Sequence, residues 1–141
     1  MNYFLKSEGK IEISGGAVRL KVSMDFLKYY KSLIDKQFRI FSNFPAHGSH
    51  VTLFHPKIHG SLDSFKAKFV KKFYCENKIP FEYNPYIIQG GHTKNFRNWY
   101  LQVRSVQLNE IVNYLGATVG SGLHLTICNT KGGVKPYIWL K

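Results

Sequence analysis

Two short segments of this chain carry the same pair of chemically active side chains in the same order. In "GSHVTLF" (48–54), His50 comes two positions before Thr52, and in "SGLHLTICN" (121–129), His124 precedes Thr126 in the same way. Histidine titrates near neutrality, so one imidazole can accept a proton while a second donates one. A threonine hydroxyl can hydrogen-bond the non-bridging oxygens of a phosphate, where negative charge accumulates in the transition state. Two such pairs facing each other would be equipped to cleave a phosphoester without a metal ion.

Each motif lies in a run with the alternation and composition of a β-strand. Side chains alternate between the two faces of a strand, so His50 and Thr52 share one face while Val51 and Leu53 point into the core. The second motif alternates in the same way. A single strand histidine followed by a threonine is usually structural, but its duplication in matched surroundings favours a catalytic role.

The elements before the first motif form a recognisable unit. The segment 17–22 alternates as a strand, Ser23 is a candidate N-cap, and apolar residues at helical spacing predict a helix over 24–38. A loop rich in Pro, Gly and Ser (42–49) then leads into the motif strand 50–54.

The same order recurs before the second motif. The segment 98–104 reads as a strand, Ser105 as an N-cap, and Gly116 as the glycine that ends a helix. A loop (117–122) and a strand (123–128) follow. The apolar stripe of this helix consists of Leu108, Ile111, Val112 and Leu115. The chain therefore contains an internal structural repeat, although the two copies lack obvious sequence identity.

Between the two units we expect a further helix and two short strands. Ser61 is a candidate N-cap for a helix over 62–74, strands are expected at 79–83 and 86–88, and "GGHTKN" (90–95) is typical of an exposed turn. Strands separated by single helices and hairpin-like joins predict an α+β domain. The predicted core face of the middle helix holds Leu62, Phe65, Phe69 and Phe73, and its solvated basic face holds Lys66, Lys68, Lys71 and Lys72.

Length and charge indicate one basic domain. The 141 residues suit a single domain spanning 1–141, and 20 Lys and Arg against 8 Asp and Glu give a formal charge of +12. A field of that sign attracts polyanions, so nucleic acid, nucleotides or an anionic surface are the first partners to consider. The alternative is a protein that is merely basic and soluble.

Several other classes of protein are disfavoured by composition. Two cysteines, Cys75 and Cys128, are too few for a disulfide framework and show no zinc-binding spacing. No Walker loop is present and no Asp or Glu follows Glu110, so paired-carboxylate catalysis and hard-cation sites are not expected. We expect neither a cofactor nor a metal. The start of the chain does not resemble a signal peptide and no apolar run matches a membrane span, so a soluble, cytoplasmic protein is expected.

A few side chains outside the motifs are candidates for substrate binding. Tyr100 and Gln102 should face away from the core-facing Trp99 and Leu101, towards a cleft. Near the C-terminus, aromatic residues can stack on a nucleobase or pin the chain end to the core. His47, formally the start of a His-x-Ser motif, is rejected because it lies in a Pro/Gly loop. The remaining candidates are Lys94, Lys131, Tyr137 and Trp139.

The paired motifs in this setting resemble the 2H phosphoesterase superfamily. That group includes RNA-end ligase/phosphodiesterases, cyclic phosphodiesterases and viral 2′,5′-oligoadenylate phosphodiesterases. The resemblance covers roughly residues 20–130. It implies a bilobal fold, in which two pseudo-symmetric antiparallel-sheet lobes with outer helices surround a central cleft. His50, Thr52, His124 and Thr126 would line that cleft as the catalytic residues.

Within that superfamily, the chain is most similar to phage anti-CBASS cyclic-oligonucleotide nucleases. The segments "GSHVTLF", "IPFEYNP", "NWYLQV", "YLG" and "LHLTICN" follow one another in the order typical of that group. The resemblance implies a viral protein of the host cytoplasm that hydrolyses cyclic di- or trinucleotide signals and so evades CBASS immunity. Two alternatives remain open: a 2′,5′-oligoadenylate or RNA 2′,3′-cyclic-phosphate phosphodiesterase, and a non-catalytic basic RNA-binding module.

Overall fold

The fold was analysed in a computed structural model, which describes residues 3–93, 96–117 and 122–130. The described chain forms seven strands and four helices, so the predicted α+β class is confirmed. In chain order the elements are β1 (Leu5–Ser14), β2 (Ala17–Lys21), α1 (Met24–Phe38), β3 (His50–Phe54), α2 (Pro56–His59), α3 (Ser64–Tyr74), β4 (Ile79–Tyr83), β5 (Ile88–Thr93), β6 (Phe96–Arg104), α4 (Val106–Leu115) and β7 (Leu123–Asn129).

All seven strands belong to one antiparallel sheet. Their order is β4-β1-β2-β3-β7-β6-β5, and β4 also pairs with β6. The two repeat units meet in the middle of the sheet, where β3 pairs with β7 through Val51 and Leu125. The two motif strands are therefore direct neighbours, although they lie far apart in the chain.

Capping residues define the helices that lead to each motif. The Asp25 N–H donates to the Ser23 hydroxyl at the start of α1, and the Leu108 N–H donates to the Ser105 hydroxyl at the start of α4, each at 3.3 Å. Helix α4 ends at Gly116, whose φ of 70° lies in the left-handed region that glycine adopts without strain. These three predicted caps are confirmed.

The hydrophobic core covers one face of the central strands. Leu20, Val51, Leu125 and Leu101 lie side by side on β2, β3, β7 and β6, and all four are fully buried. Burial of each such side chain contributes roughly 1.5–3 kcal/mol, so this row strongly favours one strand register. The helices supply the other side of the core through Leu27, Tyr30, Ile34, Leu108, Ile111, Val112 and Leu115.

The prediction for the middle helix is wrong in two respects. Helix α3 begins at Ser64, and its N-cap is Asp63, whose carboxylate accepts the N–H groups of Phe65 and Lys66, rather than Ser61. The predicted core-facing phenylalanines are exposed, Phe65 by 75% and Phe73 by 54%. The face turned inward instead carries Val70, which is completely buried, and is followed by Tyr74 and Cys75, which pack partly buried against the core. Only Leu62 of the predicted set packs against the core from its partly buried position.

The segment before β6 also differs from expectation. Residues 90–93 belong to β5 and not to an exposed turn, while 94 and 95 lie outside the described residues. The short strand predicted at 86–88 begins only at Ile88. Glycine suggested a turn, but here Gly91, with φ of 89°, lies where the register between β5 and β6 shifts, as in a β-bulge.

Neither β1 nor α2 was expected from the sequence, and part of the apolar stripe of α1 lies at the protein surface. Strand β1 has few apolar side chains, Leu5, Ile11 and Ile13, set among exposed charged residues, so its alternation is a weak signal. In α1, Leu33 and Phe38 are exposed at its surface, where the Phe38 ring rests 5.4 Å from that of Trp99.

Candidate active site

The pairing of β3 with β7 brings the two motifs together. Val51 lies opposite Leu125, and extending this antiparallel register by one residue each way sets His50 across from Thr126 and Thr52 across from His124. Directly opposed residues have Cβ atoms about 5 Å apart, and diagonal neighbours about 7–8 Å apart. By this extension of the register, the two histidines are diagonal neighbours on one strand face.

The neighbouring strands extend this arrangement on both sides. On β2, Lys21 pairs with His50 and Arg19 pairs with Thr52. On β6, Tyr100 pairs with Thr126 and Gln102 pairs with His124. Two rows of polar side chains therefore cross the sheet on the face opposite the core, and we call this surface the site face. Its rows are Lys21–His50–Thr126–Tyr100 and Arg19–Thr52–His124–Gln102.

The site face is open to solvent at its centre. His50, Thr52, His124 and Thr126 are each half-buried, whereas the intervening Val51 and Leu125 are fully buried. The core row below holds the strands in place, and the motif side chains above it remain accessible to a ligand.

A hydrogen bond defines which nitrogen of His50 carries the proton. Its Nδ1 lies 2.8 Å from the carbonyl oxygen of Gly48, which can only accept, so Nδ1–H donates and a neutral ring keeps Nε2 as a proton acceptor. Burial lowers the pKa of His50 from its ordinary value of 6.5, the Gly48 carbonyl opposes this effect, and the positive charges of Arg19 and Lys21 reinforce it. The lowered pKa favours the neutral ring of His50, whose Nε2 can accept a proton.

The loop before β3 contributes a second histidine beside His50. The His47 ring centre is 6.0 Å from that of His50, and the His47 carbonyl accepts a hydrogen bond from the Lys21 ammonium group. His47 is exposed in a turn, as the sequence indicated, but it lies at the edge of the site and does not project from a strand.

The His124 side of the site adjoins a cavity of about 290 Å³. The His124 ring packs edge-on against Tyr100, with centres 5.4 Å apart, and both residues line this cavity with Gln102. Gly90 forms part of its wall, and a Cβ atom there would lie 2.6 Å from the side-chain oxygen of Asn98. The predicted orientation of Tyr100 and Gln102, away from the buried Trp99, is confirmed.

A second cavity, of about 360 Å³, lies on the other side of the motifs over β1 and β2. Arg19, Lys21, His47 and Lys57 are among its lining residues. A larger cavity, of about 570 Å³, lies between β4 and the start of α4 and includes none of the four motif residues. The four motif residues therefore lie on the strands between the two smaller cavities.

Sequence reasoning missed Arg19 and Lys21 as parts of the site. Their signal was available, because "AVRLKV" alternates and its two basic residues share one strand face. The alternation does not show which strand lies beside this one in the sheet. Among the other predicted binding residues, Tyr100 lies on the site face, whereas Lys94, Lys131, Tyr137 and Trp139 lie outside the described residues.

Within the described ranges, no group of three or more His, Cys, Asp or Glu side chains is arranged to hold a metal ion. No helix in that part of the chain is both long and apolar enough to cross a membrane. Burial raises the pKa of the Cys128 thiol to about 11, which makes it a poor nucleophile.

Comparisons with protein-family models, curated proteins and solved structures gave no significant match.

Proposed function

We propose that this protein is a metal-independent phosphodiesterase of the 2H type that hydrolyses cyclic oligonucleotide signals. The observation that supports this best is the pairing of β3 with β7. It places two histidines and two threonines, each half-buried, on one face of the sheet. The proposal includes the bilobal reading of the fold, with the β3–β7 pair joining two lobes around a cleft. By the resemblance in sequence, the substrate is a cyclic di- or trinucleotide of host CBASS defence, and the protein acts for a phage.

In the proposed reaction the two histidines have different roles. His50 takes the proton from the attacking hydroxyl, of water or of a neighbouring ribose, because its Nε2 is free to accept. His124, across the phosphate, gives a proton to the leaving 5′-oxygen as the P–O bond breaks. One proton is taken up and one is delivered, so the net charge of the pair is unchanged over the step.

The remaining residues of the site face would stabilise the transition state. Thr52 and Thr126 donate hydrogen bonds to the non-bridging oxygens, where charge grows as phosphorus becomes five-coordinate. Lys21, which pairs with His50, adds positive charge beside these oxygens. A half-buried site strengthens these interactions relative to bulk water.

Activity should survive metal chelation. We expect the protein, incubated with EDTA, to cleave members of a panel of cyclic dinucleotides, cyclic trinucleotides, 2′,5′-oligoadenylates and RNA 2′,3′-cyclic-phosphate ends, with cyclic substrates cleaved fastest. Products are measured by liquid chromatography and mass spectrometry. Loss of activity on chelation, restored by one divalent ion, would contradict the acid–base mechanism. Binding of RNA without cleavage of any panel member would favour the RNA-binding module.

The pH dependence should report the lowered pKa of His50. A base with a lowered pKa stays neutral to more acidic pH, so kcat/KM should fall only as pH drops through a value below 6.5. Removing the Lys21 charge, as in Lys21→Met, raises the pKa of His50 and should move this acidic limb to higher pH. The control Lys68→Gln removes an equal charge from α3 and should leave the limb in place. An acidic limb above 6.5 in the unmodified protein would show that His50 is not the base.

A further inference from the structure

The cavity over β1 and β2 contains an arginine whose buried Nε has no hydrogen-bond partner in the described chain. Arg19 is only 6% exposed, and its Nε is buried without a hydrogen-bond partner among the described residues. In those residues, Arg19 forms no ion pair either. A buried N–H of a charged group is destabilising while it lacks a partner, so Arg19 is a candidate for binding a ligand of opposite charge.

Other basic groups surround Arg19 in the same cavity. Lys21 lies on the same face of β2. His47 lies in the loop before β3, and Lys57 is an exposed residue at the start of α2. Glu12 is the carboxylate among the lining residues; it is opposite Arg19 in the β1–β2 pairing, but exposed to solvent and not ion-paired to it. The lining therefore keeps an excess of positive charge, suited to an anion.

The position of the cavity relates it to the catalytic residues. Arg19 and Lys21 lie one strand from Thr52 and His50, and the cavity extends over β1, one strand further. At about 4.8 Å per strand, its centre is on the order of 5–10 Å from the place of the reacting phosphate. One nucleotide unit spans a distance of that order. A planar guanidinium also matches two oxygens of a phosphate at once.

We propose that this cavity is a second phosphate subsite, with Arg19 as its specificity-determining residue. It binds the phosphate next to the one being cleaved, so the protein selects substrates that carry at least two phosphates. This inference rests on the proposed function for the position of the reacting phosphate, but the cavity, its charge and the unpaired Nε do not. The second phosphate is either internal to a cyclic oligonucleotide or the 5′-terminal phosphate of a linear one.

Binding to three probes tests the subsite independently of turnover. In a His124→Ala background, isothermal titration calorimetry compares ApA, which has one phosphate, with pApA and cyclic di-AMP, which have two. We expect both two-phosphate probes to bind more tightly than ApA. Arg19→Met should weaken their binding roughly 10-fold to 100-fold and leave that of ApA unchanged. Tighter binding of pApA alone would assign the subsite to a terminal phosphate, and of cyclic di-AMP alone to an internal one.

A second variant covers the chance that Arg19→Met does not fold, which circular dichroism would reveal. Lys57→Gln changes an exposed side chain and should weaken the two-phosphate probes about 2- to 5-fold. The matched control Lys68→Gln lies on α3, which packs over the Ile11 and Ile13 side of β1, and should change nothing.

The outcomes separate this inference from the proposed function. The subsite is wrong if folded Arg19→Met binds all three probes as its parent does, or if Lys57→Gln leaves the ratio of pApA to ApA affinity unchanged. Neither result contradicts the proposed phosphodiesterase activity. If no panel substrate is cleaved but the preference for two phosphates disappears in Arg19→Met, the subsite is supported and the proposed phosphodiesterase activity is contradicted.

Discussion

Replacing either motif histidine should abolish most turnover while leaving ligand capture intact. His50→Ala removes the proposed base and His124→Ala the proposed acid, and proton transfer of this kind contributes typically about 10²- to 10⁴-fold. We expect kcat to fall by that factor in each single variant. The affinity for an intact cyclic dinucleotide should stay within a few-fold, because the basic residues around the site are unchanged. Single-turnover kinetics and equilibrium binding measure the two quantities separately.

The double variant and a matched control sharpen this test. Because the two histidines act in one step, His50→Ala with His124→Ala should cost far less than the product of the single losses. His59→Gln removes an imidazole from α2, outside the site face, and should retain normal kcat. Unchanged turnover in both single histidine variants would refute the enzyme and favour the RNA-binding module.

Removing the motif hydroxyls should give the second largest effect. Thr52→Val and Thr126→Val keep the shape of the side chain and delete one hydrogen bond to the five-coordinate phosphorus. By comparison with the loss of an oxyanion-hole donor, we expect kcat to fall on the order of 10²-fold in each variant. KM should change little, because the hydrogen bond strengthens chiefly as charge develops in the transition state.

The conservative change Thr→Ser supplies the control at both positions. Thr52→Ser and Thr126→Ser keep the hydroxyl, so their kcat should stay within a few-fold of the unmodified protein. Both half-buried positions lie above the fully buried Val51 and Leu125, so thermal unfolding should show whether either valine variant disturbs the sheet. If Thr→Val and Thr→Ser lower kcat equally, packing and not hydrogen bonding explains the loss.

Local features of this protein were readable from the sequence. The alternation of "HVTLF" and "LHLTIC" correctly assigned His50 and His124 to the polar face of their strands. Ser23, Ser105 and Gly116 were recognised as helix caps, because capping depends on hydrogen bonds within one turn of the helix. Strand alternation and helix capping are short-range properties, so a few neighbouring residues suffice to determine them.

The middle of the chain shows where local pattern fails. The spacing of Phe65, Phe69 and Phe73 is that of a buried helical stripe, yet these rings are exposed. In the structure Phe69 packs at 4.6 Å against Phe73 and also against Tyr114 of α4. Helical spacing shows that these apolar residues share a face, but not whether that face meets the sheet or a neighbouring helix.

Only the tertiary structure decided which strands are neighbours, and with that the composition of the candidate site. Alternation shows that Arg19 faces the same way as Lys21, but not that β2 lies beside β3 and sets both against the first motif. Nor does it show that β7 pairs with β3 so that each histidine faces the other motif's threonine. Strand pairing depends on burying side chains far apart in sequence, here Leu20, Val51 and Leu125. A contact between distant segments is a property of the packed core, and no short stretch of sequence contains it.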